Sequence, residues 1–502
     1  MSVQVELRAR LQARGDGYWS VALALAALAL YATTLCPTVY WYDSAELAAA
    51  AALLGVPHPP GYPLYTLLGK LYVMLVPGEP AFAVNLMSAV HGAVCVGLVF
   101  VLQRRLGAAR IPASCGAVFF GTGPSFWLNC SVAEVYTTGL MLGLGTWLVL
   151  LRALNTRSPR LLLVAAGLGG LGFAAHMFVA TLGLGYVLLL WHAVQSCEAR
   201  TRARVRWLAL SALCTLAGAS LYLYLPLRLS MNPQLRFMEV NTLGSFLWMV
   251  SGGAYKSWFL TDYDRLARAF GVLGLLAEQL SDLGLLLALL GMLWLLVKQR
   301  AVGLALLLGA GGNLWFFFAY NVHDVEVFFL PTVALLALGI GPALTAVGVA
   351  LSGKALTRGL GQVTLLIFAA YAALRATLVQ REVDHSRDRA AEHYGQQLVS
   401  TLPPDAVVLN FAVPAEWKYH AVFAYYFQKV LGQRPDVQVV TGPPELLAGA
   451  AAQRDRAGTQ PCILEQLVGS PRPVYMYTQI AELEPLLDFA PEGPLMRVRC
   501  KR

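Results

Sequence analysis

Charge is what this sequence has least of: 13% of its 502 residues are Asp, Glu, Lys or Arg, against 57% hydrophobic residues. An ordinary soluble domain carries about a quarter charged residues, so that class is excluded. Cysteine is also scarce, with 8 in all and no metal-type spacing among them. Cys36, Cys95, Cys115, Cys130, Cys197 and Cys214 lie in or beside apolar stretches, where a thiol acts as a small hydrophobe. Cys462 and Cys500 are left as the two that could pair outside a membrane. No repeat relates one half of the chain to the other, which argues against a secondary transporter with a midplane site. No small-residue cleavage site follows the first apolar stretch, so it is expected to stay as a helix.

What the sequence does have is apolar length. Eleven stretches of about twenty residues can each cross a hydrocarbon core roughly 30 Å thick. They are 18–36, 81–103, 111–128, 133–151, 161–178, 179–195, 207–226, 271–297, 301–319, 327–350 and 360–379. The net charge of +9 does not point to nucleic acid, because the basic residues cluster between the stretches, where anionic lipid and the positive-inside rule account for them. One set of alternate connections holds seventeen Lys or Arg, from Arg8, Arg10 and Arg14 through Arg104, Arg105 and Arg110 to Lys354 and Arg358; the opposite loops hold six. The first set is therefore expected to be cytoplasmic, and the polar C-terminal part extracytoplasmic. Asp43, Glu46, His58, Glu134, His176, Arg228, His323 and Asp324 then share the extracytoplasmic side. Ionisable groups at that depth are costly and point to one site.

The expected domains are a transmembrane unit over 1–384, with a first external loop at 37–80, and a soluble α/β domain over 385–502. Around its start the polar run 381–398, REVDHSRDRAAEHYGQQL, reads as a helix leaving the bilayer. Ala406–Phe411, Val437–Val440 and Val474–Tyr477 read as strands, with helices around His420–Leu431 and Pro444–Ala452. It has no glycine-rich phosphate loop and is too short for a dinucleotide site, so acceptor recognition or a lid is expected of it, with plain structural support equally open.

The first loop carries the strongest pattern. Asp43 and Glu46 stand three positions apart at the start of an alanine-rich helix, so their carboxylates can share a face. Asp43 as N-cap with Glu46 in a capping box is the structural alternative. Aromatics at 40–42 precede the helix, and a turn with four prolines and His58 follows it. The helix is too short to span and is expected to lie in the interface, as is the apolar stretch Leu64–Val76.

The segment DSAELAAAAALLGVPHPPGYPLY resembles the opening loop of a bacterial membrane family related to the eukaryotic transmembrane O-mannosyltransferases that modify immunoglobulin-like plexin domains. These are enzymes of the GT-C type. Further matches are Asn85 with Ser88, Glu134 with Tyr136, and Tyr320–Pro331; together the resemblance covers roughly 18–350, with RPDV at Arg434–Val437 a loose addition. It implies an all-helical GT-C-like bundle, a polyprenyl-phosphate sugar donor (mannose by resemblance), and inversion at the anomeric carbon. The acidic catalytic residue, carried over, is Asp43.

For such a transfer a base must take the acceptor hydroxyl's proton, and Asp43 is the expected base with Glu46 beside it. The departing phosphate needs cations or donors. Arg228, by its fork geometry, His58 and Tyr62 are expected there. Glu134, Asn85, Tyr136, Asn321, His323 and Asp324 are expected to bind sugar or acceptor. Neither a resident cofactor nor a metal is expected, although Asn321, His323, Asp324 and Glu326 offer ligand chemistry. The sequon at Asn129 is expected to carry no glycan. The expected partners are membrane lipid, the polyprenyl-phosphate donor as co-substrate, and a protein or glycan acceptor; the location is a bacterial cytoplasmic membrane. A transferase acting on lipid or envelope glycan remains open beside one acting on protein, and a transporter less so.

Overall fold

The computed structural model describes residues 3–198, 200–351, 355–411, 422–423, 425–442, 472–477, 479, 484 and 487–501. Nineteen α-helices run through the described residues. They are α1 (Val3–Ala32), α2 (Ser44–Leu53), α3 (Pro63–Leu75), α4 (Pro80–Arg105), α5 (Arg110–Gly121), α6 (Pro124–Ser131), α7 (Tyr136–Thr156), α8 (Pro159–Ala175), α9 (Phe178–Thr181), α10 (Gly183–Cys197), α11 (Thr201–Ala219), α12 (Tyr224–Leu229), α13 (Leu243–Val250), α14 (Arg265–Lys298), α15 (Arg300–Phe317), α16 (Leu330–Ala337), α17 (Ile340–Leu351), α18 (Ala355–Glu382) and α19 (Ala390–Thr401).

All eleven expected stretches are helical, but they are not eleven unbroken rods. Seven helical segments among the described residues are long and apolar enough to cross a membrane: Arg14–Ala32, Pro80–Arg105, Tyr136–Thr156, Thr201–Leu229, Arg265–Lys298, Arg300–Phe317 and Val325–Ala350. The others are shortened or interrupted. α5 and α6 part at Thr122 and Gly123 ahead of Pro124, and α9 and α10 part at Leu182. α8 has 17 residues, and α18 carries Arg358, Arg375 and Arg381 along its length. α4 shows how such a helix is specified: Pro80 occupies its first turn, Arg104 and Arg105 its last, and its residues are buried on nearly every side, as befits a helix apolar all round.

The breaks inside the bundle are satisfied by one cation the sequence reading passed over. Arg375 is buried and donates to the carbonyls of Phe119 (2.9 Å), Glu278 (3.0 Å) and Gln279 (2.6 Å) and to the Thr122 hydroxyl (3.1 Å). These acceptors are freed where α5 ends and where α14 is kinked at Ser281 (φ 61°, ψ 159°). A guanidinium has enough donors to serve them all at once. At one end of the bundle, Asp16 ties Arg104 (3.0 Å) and Arg110 (2.8 Å) together.

α2 departs from the interfacial position expected of it. Its residues Ser44–Ala51 are buried, covered on one side by α3 and α4 and on the other by the C-terminal unit. A β-carbon at Gly69 of α3 would stand 2.7 Å from Ala51 Cβ, so glycine there permits the close approach. α3 keeps an outer face, with Leu71, Met74 and Leu75 exposed.

Beyond α18 the chain does not leave as one helix: α18 stops at Glu382, and α19 begins at Ala390. The sheet that follows has the order β2-β1-β3-β5-β4, with β1 (Val407–Phe411), β2 (Gln438–Gly442), β3 (Val474–Met476), β4 (Leu487–Glu492) and β5 (Leu495–Cys500). β1 lies parallel to β2 and β3, with Val408 opposite Val439 and Tyr475, and β5 is antiparallel to both β3 and β4. The three expected strands are present; the β4–β5 hairpin was not foreseen. Its edge strand holds Pro491, which is tolerated at an edge because no ladder partner lies beyond. Cys500 is disulfide-bonded, while Cys462 and the helix expected at Pro444–Ala452 lie outside the described residues, as do 420, 421 and 424 of the helix expected at His420–Leu431, whose later part forms the π-helical turn Tyr426–Val430.

Tyr426, Phe423, Phe427, Tyr475, Leu398 and Val408 form one buried cluster with Val39, Ala45, Ala48 and Ala49 of the first loop. The Trp41 ring meets Phe423 edge-to-face (5.4 Å) and Tyr394 at a tilt (5.6 Å). The Tyr426 hydroxyl donates to Glu79 Oε1 (2.5 Å) and accepts from the Ala81 N–H (3.0 Å). Burial raises the Glu79 carboxyl above its ordinary value, and burial followed by the Glu79 charge raises the Tyr426 phenol.

Candidate functional site

Asp43 precedes α2 with helical backbone angles (φ −74°, ψ −14°), and its side chain caps nothing. The capping box is therefore not formed. Its carboxylate faces His58 instead, with Oδ2 3.4 Å from Nε2. One turn on, Glu46 takes two bonds from the same histidine: the His58 N–H donates to Oε1 (2.9 Å), and Nδ1 lies 2.6 Å from Oε2. Side-chain exposure falls along this chain from 28% at Asp43 to 4% at His58 and 4% at Glu46. Both carboxylates sit at the N-terminal, positive end of α2.

The proline turn delivers His58. The Gly61 N–H donates to the His58 carbonyl (2.8 Å). Gly61 has φ +90°, and a β-carbon there would meet Leu225 at 2.8 Å, so no other residue fits comfortably. Tyr62 follows at φ 39°, a left-handed conformation that a bulky residue adopts only when its surroundings hold it there. Its hydroxyl lies 3.0 Å from His58 Nε2 and 3.4 Å from the Pro59 carbonyl. Burial first, then Tyr255, Asp43, Glu134 and Glu46, push the Tyr62 phenol well above its ordinary value, so it serves as a protonated hydroxyl.

Residues far apart in sequence gather around this chain. Tyr62 stacks on His176 (5.6 Å), which in turn lies 5.1 Å from Tyr136. His176 is itself buried and accepts the Phe178 N–H at Nδ1 (3.1 Å), where the chain breaks between α8 and α9. Glu134, half-buried at the start of α7, bears electrostatically on Tyr62 and Tyr136. The loop after α15 is brought over by His323, whose ring stacks on Tyr42 at 5.0 Å; its Nδ1 is 3.8 Å from Asp324 Oδ1. Asn321 is exposed and anchored through its N–H to the Trp258 carbonyl (2.9 Å). Tyr255, with its ring 6.4 Å from His58, and Phe237, at 6.5 Å, also border the site and were not foreseen. Their loop has no periodicity that would have flagged them.

Two expected site residues are engaged elsewhere. Arg228, expected at the donor phosphate, donates from Nε to the Leu54 carbonyl (2.6 Å) and from Nη2 to the Leu53 carbonyl (3.1 Å). Lys70 joins it on Ala52 (2.7 Å), and the Tyr224 hydroxyl on Leu54 (2.9 Å). Together they satisfy the unpaired carbonyls at the negative end of α2. Asn85, expected at sugar, is fully buried and donates to the carbonyls of Cys36 (2.8 Å) and Thr38 (2.9 Å). The irregular chain leaving α1 would otherwise bury the Cys36 carbonyl unpaired and leave Thr38 with only the weak Cys36 thiol donor (3.3 Å).

Asp43, Glu46 and His58 each present a ligand atom within 4.8 Å of the others, a set that suits a divalent cation. Among the described residues, the Asn321–Glu326 loop expected to offer such chemistry does not form a group of this kind.

Residues 43–197 match the family model for the N-terminal domain of protein O-mannosyl-transferase TMEM260. The protein O-mannosyl-transferase TMEM260 of Mus musculus is 38% identical over 141 residues, 26% of this chain and 20% of that protein. Its Dictyostelium discoideum counterpart is 27% identical over 135 residues, 25% of this chain and 16% of that protein. The chain thus spans about a fifth of the length of the curated relatives it matches. Among solved structures, apo ArnT from Cupriavidus metallidurans superposes with a TM-score of 0.60 at 15% identity, covering 97% of this chain and 98% of that one. The same protein bound to undecaprenyl phosphate gives 0.55 at 13% identity over 95% and 97%. The mycobacterial arabinofuranosyltransferase AftD gives 0.50 at 14% identity, over 94% of this chain and 37% of that one. The chain is a polytopic membrane protein with the GT-C fold, and its residues 43–197 are similar in sequence to the N-terminal domain of the TMEM260 O-mannosyl-transferase family.

Proposed function

We propose that this protein is an inverting glycosyltransferase that moves a sugar, mannose by similarity, from a polyprenyl-phosphate donor to a hydroxyl on the extracytoplasmic face of a bacterial cytoplasmic membrane. The observation that carries the proposal is the half-open Asp43 carboxylate backed by His58 and Glu46, lying within the segment similar to the O-mannosyl-transferase domain. Asp43 is the base. The acceptor oxygen attacks the anomeric carbon, its proton goes to Asp43, and the bonding pair of the broken C–O bond leaves with the polyprenyl phosphate. With Arg228 bonded to the carbonyls that close α2, the donor-side groups are His58 and Tyr62, whose ring nitrogen and hydroxyl lie beside Asp43. Glu134, Tyr136, Asn321, His323 and Asp324 are the sugar and acceptor contacts.

A polyprenyl-phosphate donor is supported by the undecaprenyl phosphate held by ArnT on the same fold. A protein Ser/Thr hydroxyl is preferred as acceptor because the relatives that share the first-loop segment are named for protein O-mannosyl transfer. A lipid or envelope-glycan hydroxyl is the second reading, because the similarity to the protein O-mannosyl-transferases stops at residue 197. Two domains, 1–384 and 385–502, would then divide the work, the second presenting the acceptor.

The test uses purified protein in nanodiscs with radiolabelled polyprenyl-phosphate mannose and membrane-derived acceptors. Wild type should transfer label and Asp43→Asn should not, with the variant still monodisperse. Equal transfer by both removes Asp43 from the chemistry. No transfer by either removes mannosyl transfer as the function.

A further inference from the structure

At the end of the bundle away from Asp43, helices α7, α10 and α15 border an open cleft of about 590 Å³. All three have their other ends at the site: Tyr136 opens α7, α10 follows closely on His176 and Phe178, and Tyr320 follows α15. The 18 residues of α15 alone separate the two places by about 27 Å. Deeper in the bundle α10 and α15 touch, since a β-carbon at Gly185 would run into the Ala305 carbonyl. The cleft opens where they part, and its lining is graded along both helices. His192 and Arg300 stand at the outer end; Leu188 and Leu304, each one turn deeper, form an apolar wall with Leu154 of α7. Gln299 also lines the cleft, but its amide donates to the Leu106 carbonyl (3.0 Å).

The outer end also holds cations that the protein does not neutralise. At the same end of the bundle Arg104 and Arg110 share Asp16 (3.0 and 2.8 Å), whereas among the described residues no carboxylate pairs with Arg152, Arg157, Lys298 or Arg300. Glu198, at the end of α10, turns its Oε1 to the Arg200 N–H (3.2 Å). The His192 ring offers an N–H in either neutral tautomer, and Arg300 offers a fork of donors. A soluble anion has no use for the leucine wall, and an uncharged lipid none for the fork. We propose that the cleft binds the headgroup and upper acyl chain of an anionic phospholipid, with the phosphate on Arg300 and His192 and the chain along Leu154, Leu188 and Leu304. Basic pockets between helices hold such headgroups on the membrane face where Lys and Arg concentrate, and this is the face with the seventeen. The cleft lies apart from Asp43, so it stands whether or not the protein transfers sugar.

The test uses the full chain, purified in detergent and stripped of lipid. Native mass spectrometry reads its dissociation constants for phosphatidylglycerol and for phosphatidylcholine with the same acyl chains. Wild type should bind phosphatidylglycerol at least about fivefold more tightly. A charge-assisted contact is worth about tenfold or more in affinity, so Arg300→Gln with His192→Leu should bring the two lipids to within about twofold of each other. Both side chains are exposed, so the packed interior is untouched, and an unchanged Tm checks this. Arg300→Gln alone, expected to cut the preference by at least half, is the second variant. Arg202→Gln removes the same charge from an exposed position outside the lining and should keep the full preference. Free glycerol 1-phosphate, added at the lipid concentration, should displace no lipid. No preference in wild type, an undiminished preference in both Arg300 variants, or an equal loss in Arg202→Gln overturns the cleft as the seat. Displacement by glycerol 1-phosphate overturns the lipid assignment in favour of a soluble anion.

Discussion

Arg228 offers the sharpest separation of two roles. In the structure its guanidinium closes the C-terminal end of α2 with bonds of 2.6 and 3.1 Å to Leu54 and Leu53. Replacing it with Met keeps the aliphatic stem and removes both bonds. Leu54 retains the Tyr224 hydroxyl (2.9 Å), so one carbonyl, that of Leu53, loses its guanidinium donor. A charge-assisted bond contributes about 1.5–3 kcal/mol, and a cation at a helix C-terminus about 0.3–1 kcal/mol more. With one of the two acceptors still covered, the loss comes to about 2–4 kcal/mol. The assay pairs thermal unfolding in detergent, followed by size-exclusion, with steady-state transfer at varied donor concentration. The expected outcome is a lower Tm and a lower kcat, since α2 carries Asp43 and Glu46, with the donor KM little changed. A phosphate clamp predicts the opposite pattern: a donor KM raised about tenfold or more with an unchanged Tm. That result would refute the capping role and return Arg228 to the donor.

Asn85→Ala should destabilise by about 1–3 kcal/mol, because it takes the amide donor from the buried Cys36 carbonyl and leaves Thr38 with only the Cys36 thiol; unfolding in detergent measures it, and a loss confined to sugar affinity would contradict the assignment. Glu79 predicts a slope with pH. Its folded-state value is raised by burial, so the folded protein holds this proton more tightly than the unfolded chain does. Its contribution is therefore most favourable below the ordinary Glu value and is lost as pH rises through the raised one. Glu79→Gln, which keeps an acceptor for Tyr426, should flatten the fall in Tm across that window, and an unchanged slope would rule Glu79 out as its source.

What could be read in the sequence was whatever depends on composition along the chain. Apolar length marked the long apolar helices among the described residues, and short apolar runs marked β1, β2 and β3. The alanine run after Asp43 marked α2 but not its place: a short apolar helix looks the same whether lipid or a protein domain covers it, and only the folded C-terminal unit decides. The β4–β5 hairpin was hidden because its strands contain Pro491 and Asp488 on an edge that needs little apolar surface. Arg228, Asn85 and Arg375 share a different obscurity. Their partners are main-chain carbonyls, which every residue carries and no sequence motif records. Asp43, Glu46 and His58 stood out because their chemistry lies in side chains set close together. Tyr255 did not, because only tertiary folding brings it there.

The Trp41, Glu79 and Tyr426 contacts give the first loop a mechanical character. α2 is clamped on its outer side by the C-terminal unit, on its inner side by α3 and α4, and at its end by Lys70, Tyr224 and Arg228. A segment so enclosed cannot swing aside to admit an acceptor. On the opposite rim His323 is exposed against Tyr42, and the loops around Tyr255 and Asn321 are tied to each other, through the Asn321 N–H on the Trp258 carbonyl (2.9 Å) and the Phe259–Tyr320 bridge. On the proposed transfer reading the carboxylates stay fixed, and an acceptor would come to them from that side.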